Sequence, residues 1–176
     1  LFEVARELFV WDGYDEIGID HFARPGDKLA VAARTGHLRR NFQGYTDDTA
    51  PTLIGVGASA ISRFREGYAQ NAPGTSDHVA AIRAGRLSAS RGHRFTADDR
   101  MRAHIIEALM CDFRVETASL CRETGANPGT VAGLFAGAGE RYGDLVEVSE
   151  SHFAIRPEGR ALFKDKYVFV GGFALG

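Results

Sequence analysis

Residues 14–70 constrain the fold more than any other part of this 176-residue chain. They contain two short apolar runs, residues 17–19 and 53–56, and each run leads into an unusual polar or glycine-rich loop. Short buried strands that end in functional loops are typical of an α/β barrel, which presents its chemistry at one rim. We therefore expect two barrel-like strands here, with functional loops at residues 20–25 and 55–62.

Apolar periodicity and capping residues predict the other elements. The segment 37–51 shows no period and is predicted to be a long functional loop, and 88–94 is predicted to be a polar connector. The predicted helices cover residues 1–10, a segment from Asp27 to about Thr35, a segment ending near Ala84, and segments that begin at Thr96, Thr117, Asn127-Pro128 and Pro157. A β-hairpin is predicted from strands at residues 145–148 and 153–155.

The composition changes after Gln70, which predicts two domains. Residues 1–70 are expected to be the C-terminal part of an α/β barrel. Residues 71–176 are expected to form a small, mainly helical, winged-helix-like accessory domain. The first helix is already under way at Leu1, with no cap and no initiator Met, so the chain is expected to be a piece of a longer protein.

Composition excludes several classes of protein. Apolar residues make up 44% of the chain, which argues against wholesale disorder, and the net charge of −2 argues against a general polyanion binder. Cys111 and Cys121 match no metal-ligand spacing. So few thiols, with no disulfide framework, favour a reducing cytoplasm. No apolar run approaches the roughly 20 residues that span a bilayer. A winged helix suggests DNA binding, but residues 126–140 contain no Lys or Arg, so a packing or lid role fits better.

Four polar residues are candidates for ligand binding. His21 follows the first predicted strand and could act as a proton donor or an anion contact, or it could be an ordinary loop histidine. Arg24, Arg39 and Arg40 could bind carboxylates through bidentate hydrogen bonds, or they could be ordinary surface arginines. Their concentration around an unpatterned loop favours at least one contact with an anionic ligand.

Glycines and apolar residues add weaker candidates. The pair Gly55 and Gly57 lets the backbone approach a ligand, although many strand ends carry two glycines. Ile61 could contact a flat ligand such as adenine or belong to the core. Phe42 and Tyr45 are open between stacking and packing roles. Cys111 is predicted to be an inert core thiol.

Four segments, IGIDHFARPGDKLAVA, RNFQGYT, LIGVGASAIS and YAQN, resemble consecutive motifs of the bacterial oxygen-independent coproporphyrinogen III oxidases. These are radical S-adenosylmethionine (SAM) enzymes of haem synthesis, and the resemblance covers residues 1–115 most strongly. Related haem chaperones have an Asn-Phe-Ala-Arg-Pro loop and lack NFQGY. The dipeptide Asp20-His21 and the residues 42–45 therefore favour the oxidase branch.

The resemblance implies a partial barrel that holds a [4Fe-4S] cluster and SAM, with the C-terminal domain covering its mouth. In this family SAM is cleaved reductively to a 5′-deoxyadenosyl radical, which abstracts hydrogen from a propionate. Loss of CO₂ and an electron then gives a vinyl group, so coproporphyrinogen III becomes protoporphyrinogen IX. By motif matching, Ile61 lies where the family contacts SAM, and Phe42 and Gln43 lie near a second SAM. The four substrate carboxylates make Arg24, Arg39 and Arg40 hypothetical propionate partners and His21 a polar contact.

This sequence departs from the family at both ends. The cluster motif CxxxCxxC is absent and is expected upstream of Leu1, because two distant cysteines cannot replace three closely spaced ligands. Residues 164–176 resemble the family poorly. The expected partners are coproporphyrinogen III, SAM and an unidentified electron donor, with no nucleic acid or membrane, for a cytoplasmic protein that is a monomer at full length. The alternatives are a haem chaperone of the same superfamily and a winged-helix nucleic-acid module.

Overall fold

A computed structural model describes residues 2–41 and 44–160. Its helices are α1 (Phe2–Trp11), α2 (Lys28–Arg34), α3 (Thr75–Arg83), α4 (Ala97–Asp112), α5 (Thr117–Thr124) and α6 (Pro128–Tyr142). Its strands are β1 (Asp15–Ile17), β2 (His21–Ala23), β3 (Arg39–Asn41), β4 (Gly44–Thr46), β5 (Ile61–Phe64), β6 (Gly67–Asn71), β7 (Ala89–Arg94), β8 (Arg114–Glu116), β9 (Val146–Val148) and β10 (His152–Ile155).

These strands form four small sheets, and every pairing in the described residues is antiparallel: β1–β2, β3–β4, β5–β6–β7 and β8–β10–β9. The chain divides into two compact units. The described parts of Leu1–Asp48 and Ala97–Gly176 form the first unit, and Thr49–Thr96 forms the second. The predicted domain boundary at residue 70 stays a prediction.

The first apolar run ends earlier than its sequence indicates. Gly18 has a φ of +55°, a left-handed conformation that suits glycine and turns the chain back on itself. As a result β1 pairs with β2 as a hairpin in which Ile17 faces His21, and the strand predicted at residues 17–19 is corrected to residues 15–17.

The segment 37–51 is not the long loop that its lack of periodicity indicates. It contains the hairpin β3–β4, in which Arg39 pairs with Thr46 and Arg40 with Tyr45. Arg-Arg-Asn offers no alternation of apolar and polar residues, so a pattern search cannot detect this strand. The hairpin places Arg39 and Arg40 on ordered backbone.

The capped helices follow the sequence closely. The Asp27 carboxylate accepts a 2.8 Å hydrogen bond from the Leu29 amide at the start of α2, and the Asn127 side chain accepts one from Gly129 at the start of α6. These side chains satisfy amides that the first helical turn leaves without partners. The helix predicted to begin at Thr96 is α4, and the helical turn predicted at Pro157 is present as far as residue 160.

A winged-helix-like arrangement completes the first unit. In chain order α4 is followed by β8, then α5 and α6, then the predicted hairpin β9–β10, whose strand β10 pairs with both β8 and β9. The core of this part is apolar, and the rings of Phe135 and Phe153 pack 5.2 Å apart. Its fully buried members with less than 2% exposure include Ile105, Leu109, Val115, Leu120, Val131 and Phe153.

The second unit contains the sheet β5–β6–β7 and helix α3. The strand predicted at residues 53–56 is wrong: only an isolated bridge joins Leu53 to Arg63. Gly57, at a φ of +108°, takes the chain out of extended geometry. The polar connector predicted at residues 88–94 is also wrong, because β7 occupies this segment and pairs with β6.

We find no helix among the described residues that has the length and the apolar character needed to cross a membrane.

Candidate functional site

Tyr45 is the centre of a polar cluster in the first unit. Its side chain is buried, with 9% of its surface exposed. The phenol oxygen accepts a 2.9 Å hydrogen bond from the Ile19 amide and donates one of 2.9 Å to the Met110 carbonyl oxygen. Burial raises the pKa of Tyr45 above its ordinary value, and the Ile19 amide and Arg40 oppose part of this rise. The phenol therefore stays protonated and joins β4 to the loop after β1 and to α4.

Two predicted ligand-binding residues contact the ring of Tyr45. The His21 ring lies edge-on at 5.1 Å between centroids, and the Arg40 guanidinium lies over the ring at 5.0 Å. Nδ1 of His21 is 2.7 Å from an Asp20 carboxylate oxygen. The structure thus brings His21 and Arg40 together through one aromatic side chain, which suits a site for an anionic ligand.

Two glycines lie beside this cluster, and one of them makes room for the Tyr45 ring. A Cβ at position 18 would overlap the Tyr45 ring, so only glycine leaves space for that phenol. A Cβ at position 44 would lie 3.6 Å from Nε2 of His21, which is an ordinary van der Waals contact. Because Asp20 occupies Nδ1, Nε2 is the nitrogen of His21 that could meet a ligand.

Arg39 lies in a cleft with α4. The cleft is lined by Leu38, Arg39, His104, Glu107, Ala108, Cys111, Asp112 and Glu123. Successive residues of a strand point to opposite sides, so Arg39 and Arg40 need not serve the same pocket. The carboxylate of Glu107 also accepts a 3.4 Å hydrogen bond from the Arg40 amide, which connects this cleft to the cluster around Tyr45.

Two titratable groups in this cleft, Cys111 and Asp112, have raised pKa values. Burial, together with Glu107 and Asp112, raises the pKa of the Cys111 thiol to about 12. Burial likewise raises the pKa of Asp112 above its ordinary value, and Arg39 opposes that rise. A thiol at this pKa stays protonated at neutral pH and is a poor nucleophile, which agrees with the inert role predicted for Cys111.

Arg24 interacts with a different aromatic residue. Its Nε donates a 3.5 Å hydrogen bond to the Tyr14 hydroxyl, and its guanidinium lies 5.8 Å from the centre of that ring. The side chain is exposed, and the hydrogen bond to Tyr14 raises the pKa of Arg24 above its ordinary value. Arg24 is therefore not part of the contacts that the described residues make around Tyr45.

In the second unit, a glycine-rich loop is held by hydrogen bonds from the sheet. The side-chain Nδ2 of Asn71 donates to the carbonyl oxygens of Gly55 and Gly57, at 3.3 and 2.9 Å. Gln70 donates to the Ser59 carbonyl oxygen at 3.1 Å, and the Gly55 amide donates to the Ser62 hydroxyl at 3.0 Å. These hydrogen bonds order the loop from within the chain, and an ordered loop loses less entropy when it binds a ligand.

The backbone of this glycine-rich loop is also strained. Ser59 has a φ of +61°, which is uncommon for a residue with a side chain. Such strain persists where the surroundings hold it, and it is concentrated at functional sites. Directly after the loop, Ile61 is half-buried and pairs with Gln70 across β5 and β6. The predicted cofactor contact thus lies on a strand that follows a strained, tightly held loop.

Sequence reasoning missed the structural roles of three residues. Gln70 and Asn71 close the loop, and the only available signal was their place in the YAQN segment. Glu107 meets Arg40 from a helix 67 positions away, and no local pattern could reveal that contact. Phe42 and Gln43, the other predicted cofactor contacts, lie outside the described residues.

The described residues do not fit an iron–sulfur cluster. We find no group of three or more His, Cys, Asp or Glu side chains among them that could hold a metal ion. Cys111 is buried and Cys121 is half-buried, and both are free thiols. Cluster ligation needs closely spaced thiolates, so the described part of this chain supplies none of that chemistry.

No family model matches the chain. The curated relatives and the solved structure that it matches all belong to one family. Over 92% of its length the chain is 56% identical to the oxygen-independent coproporphyrinogen III oxidase of Paracoccus denitrificans and 50% identical to that of Cereibacter sphaeroides. It spans 36% of the length of each of these relatives. The Escherichia coli relative is 37% identical over 87% of the chain.

The structural comparison gives the same result. The solved structure of coproporphyrinogen III oxidase from Escherichia coli, described as a radical SAM enzyme, matches with a TM-score of 0.86 at 32% identity. The match covers 97% of this chain and 39% of that protein. The predicted fold class, the end of a partial α/β barrel followed by a winged-helix-like domain, is therefore confirmed. The chain belongs to the oxygen-independent coproporphyrinogen III oxidase family, as a stretch that spans 36% of its relatives in Paracoccus and Cereibacter.

Proposed function

We propose that this chain is part of an oxygen-independent coproporphyrinogen III oxidase, a radical SAM oxidoreductase that acts on CH–CH groups in haem synthesis. The reaction is the oxidative decarboxylation of two propionates to vinyl groups, which gives protoporphyrinogen IX. The observation that carries the proposal is the 56% identity to a relative of that name over 92% of the chain. The stretch alone is inactive, since its described residues hold no cluster ligands.

Substrate binding is assigned to the polar residues of the first unit. Each guanidinium of Arg24, Arg39 and Arg40 can bind a propionate carboxylate through two parallel hydrogen bonds. Arg40 is the best supported of the three, because Tyr45 and Glu107 hold it in place. The ring of His21 offers Nε2 as a polar contact to substrate or SAM, since Asp20 holds its other nitrogen.

Cofactor binding is assigned to Ile61 in the second unit, with Phe42 and Gln43 at a second SAM. A half-buried aliphatic side chain beside a pre-ordered backbone loop fits the flat adenine of SAM. When bound together, the [4Fe-4S] cluster and SAM supply the one-electron chemistry that removes a hydrogen atom from the substrate. The residues of this chain orient the ligands and exclude water.

The test uses the full-length protein under anaerobic conditions. Its products from coproporphyrinogen III, SAM and a chemical reductant are separated by chromatography, and vinyl-containing porphyrin is the expected product. Neutralising Arg24, Arg39 and Arg40 together should raise the KM for coproporphyrinogen at least tenfold, because hydrogen bonds between charged groups contribute about 1.5–3 kcal/mol each. The matched control is Arg122→Met, whose side chain is 71% exposed on α5.

His21→Ala tests the fourth residue. It should impair turnover or the KM for either ligand, and unaltered kinetics would remove His21 from the site. A Soret titration with haem runs in parallel. Tight haem binding without decarboxylation would favour the haem-chaperone alternative and contradict the proposal.

At full length the proposed enzyme is a cytoplasmic monomer that receives its electron from a separate donor. It binds neither nucleic acid nor membrane. In α6, where a winged helix would read DNA, the only cation is Arg141, and its guanidinium lies 5.5 Å from the Tyr142 ring centre. Salt-dependent retention on DNA would contradict this part of the proposal.

A further inference from the structure

The second unit has a charge balance opposite to that of the whole chain. The chain has 21 basic and 23 acidic residues. Between residues 49 and 96, however, the acids are only Glu66 and Asp77, whereas the cations are Arg63, Arg65, Arg83, Arg86, Arg91 and Arg94. In the described part of the chain, Arg63 and Arg91 form no ion pair with an acidic side chain. A cationic surface of this kind attracts anionic ligands.

Strand register places two of these arginines on the face that carries Ile61. Gln70 pairs with Ile61 on one side and with Arg91 on the other, so these three residues form one row across the sheet. Tyr68 pairs with Arg63 and with His93, which gives the next row. Side chains two positions apart on a strand share a face, and those directly paired do so as well.

Sheet geometry sets the scale of this face. Neighbouring strands lie about 4.8 Å apart, so the backbones at Ile61 and Arg91 are separated by roughly 10 Å. The Arg91 side chain is exposed and that of Arg63 is half-buried. A guanidinium on its three-carbon stem covers part of this separation, and a ligand that lies against Ile61 spans the rest. A ligand that touches Ile61 is therefore within reach of at least one unpaired cation.

We propose that the sheet face formed by Ile61, Arg63, Tyr68, Gln70, Arg91 and His93 is a carboxylate-binding surface. Arg91, and Arg63 in the next row, bind carboxylate groups of a ligand that lies against Ile61. This assignment rests on the proposed function, since the ligand at Ile61 is SAM in that proposal. Two sources supply the carboxylate: the amino-acid end of SAM and the propionates of the porphyrinogen.

The test compares arginines on the two faces of β7 in the full-length protein. Arg91→Met removes the cation and keeps a side chain of similar length, and Arg91→Lys keeps the charge without the bidentate geometry. Arg94→Met is the matched control, because Arg94 is exposed on the same strand and its side chain points to the opposite face. Thermal unfolding shows that each variant is folded.

Two ligands are titrated separately, SAM by equilibrium dialysis and coproporphyrin III by its Soret absorbance. We expect Arg91→Met to raise one of the two dissociation constants about tenfold, Arg91→Lys to raise it less, and Arg94→Met to leave both unchanged. A change for SAM alone assigns the carboxylate to its amino-acid end, and a change for coproporphyrin alone assigns it to a propionate. Arg63→Met should raise the dissociation constant of the same ligand.

Two results would overturn the assignment and can be told apart. If the wild-type protein binds both ligands and the Arg91 variants bind them equally well, the carboxylate-binding surface is wrong while the proposed function stands. If the wild-type protein binds neither ligand, the proposed function fails and the assignment fails with it.

Discussion

The hydroxyl of Tyr45 donates a 2.9 Å hydrogen bond to the carbonyl oxygen of Met110, near the end of α4. This bond joins the hairpin β3–β4 to a helix 65 positions later in the chain. It also fixes the ring against which His21 and Arg40 pack. The geometry of the candidate substrate site therefore depends on a residue that need not touch substrate.

Removing this hydroxyl should destabilise the protein. Tyr45→Phe leaves the buried Ile19 amide and the Met110 carbonyl oxygen without this partner. An unsatisfied buried polar group costs about 1–3 kcal/mol, so the midpoint of thermal unfolding of the full-length protein should fall by several degrees. Tyr14→Phe is the control, since its hydroxyl accepts only a 3.5 Å hydrogen bond from exposed Arg24. Equal midpoints for the two variants would show that the Tyr45 hydrogen bonds contribute nothing.

Adding one methyl group at Gly18 should have a larger effect. Gly18→Ala combines a left-handed φ of +55° with overlap between the new Cβ and the Tyr45 ring. Gly13→Ala separates the two causes, because Gly13 has a φ of +79° and no atom within 4 Å of the added Cβ. The Gly13 variant should lose about 1–2 kcal/mol from backbone strain, and the Gly18 variant should lose a further 1–3 kcal/mol from overpacking. Chemical denaturation measures both, and an equal loss would contradict the close contact with Tyr45.

The thiol of Cys111 should resist modification and weaken the fold at alkaline pH. Its pKa is raised to about 12 from an ordinary value of 9.0, so it stays protonated in the folded chain where an unfolded thiol ionises. Its contribution to stability is therefore complete below pH 9 and is lost as the pH rises towards 12. The measurement uses a Cys121→Ser background at pH 8. A thiol reagent should react with Cys111 much more slowly in the folded protein than in denaturant, once the rates are corrected for the effect of denaturant on the reagent itself. A reaction as fast as that of the unfolded protein would show that Cys111 is accessible.

Loss of the Asn71 side chain should loosen the glycine-rich loop. Asn71→Ala removes the hydrogen bonds to Gly55 and Gly57, and each contributes roughly 0.5–1.5 kcal/mol. Amide exchange over residues 55–60 of the full-length protein should then accelerate about fivefold or more. Gln70→Ala removes one hydrogen bond, to Ser59, and should have the smaller effect. If exchange in this segment is unchanged in both variants, these side chains do not order the loop.

The sequence predicted the helices well because their ends are encoded locally. Asp27 and Asn127 each cap a helix with their own side chain, and such signals need no knowledge of distant residues. The hairpin β9–β10 was likewise predicted, since apolar residues flank the polar turn at Ser149, Glu150 and Ser151.

Several strands could not be predicted, for a physical reason. All six residues of β7 are exposed, and only one strand pairs with it, so burial leaves no alternating pattern in its sequence. Residues 53–56 mislead in the opposite direction, because their apolar side chains include Ile54 and Val56, which are 63% and 90% exposed. Apolar character alone indicates a strand only where the side chains are buried.

In the candidate site, too, local sequence predicted some features and missed those that depend on distant residues. His21 and Arg40 were chosen from their residue types, and the structure brings them together at Tyr45. Their meeting point could not be found from local sequence, because it depends on Met110 and Glu107 in a distant helix. Motif resemblance supplied Ile61 as a cofactor contact, and that assignment stays a prediction.

The close approach of Gly55 to Ile61 bears on attempts to engineer this protein. A Cβ at position 55 would lie 2.7 Å from the Ile61 carbonyl oxygen, which belongs to the main chain and is present whatever side chain occupies position 61. If Ile61 contacts SAM as proposed, mutant libraries aimed at its adenine end can vary position 61 but should hold position 55 as glycine. A larger residue at position 55 would displace the start of β5, the strand that carries Ile61.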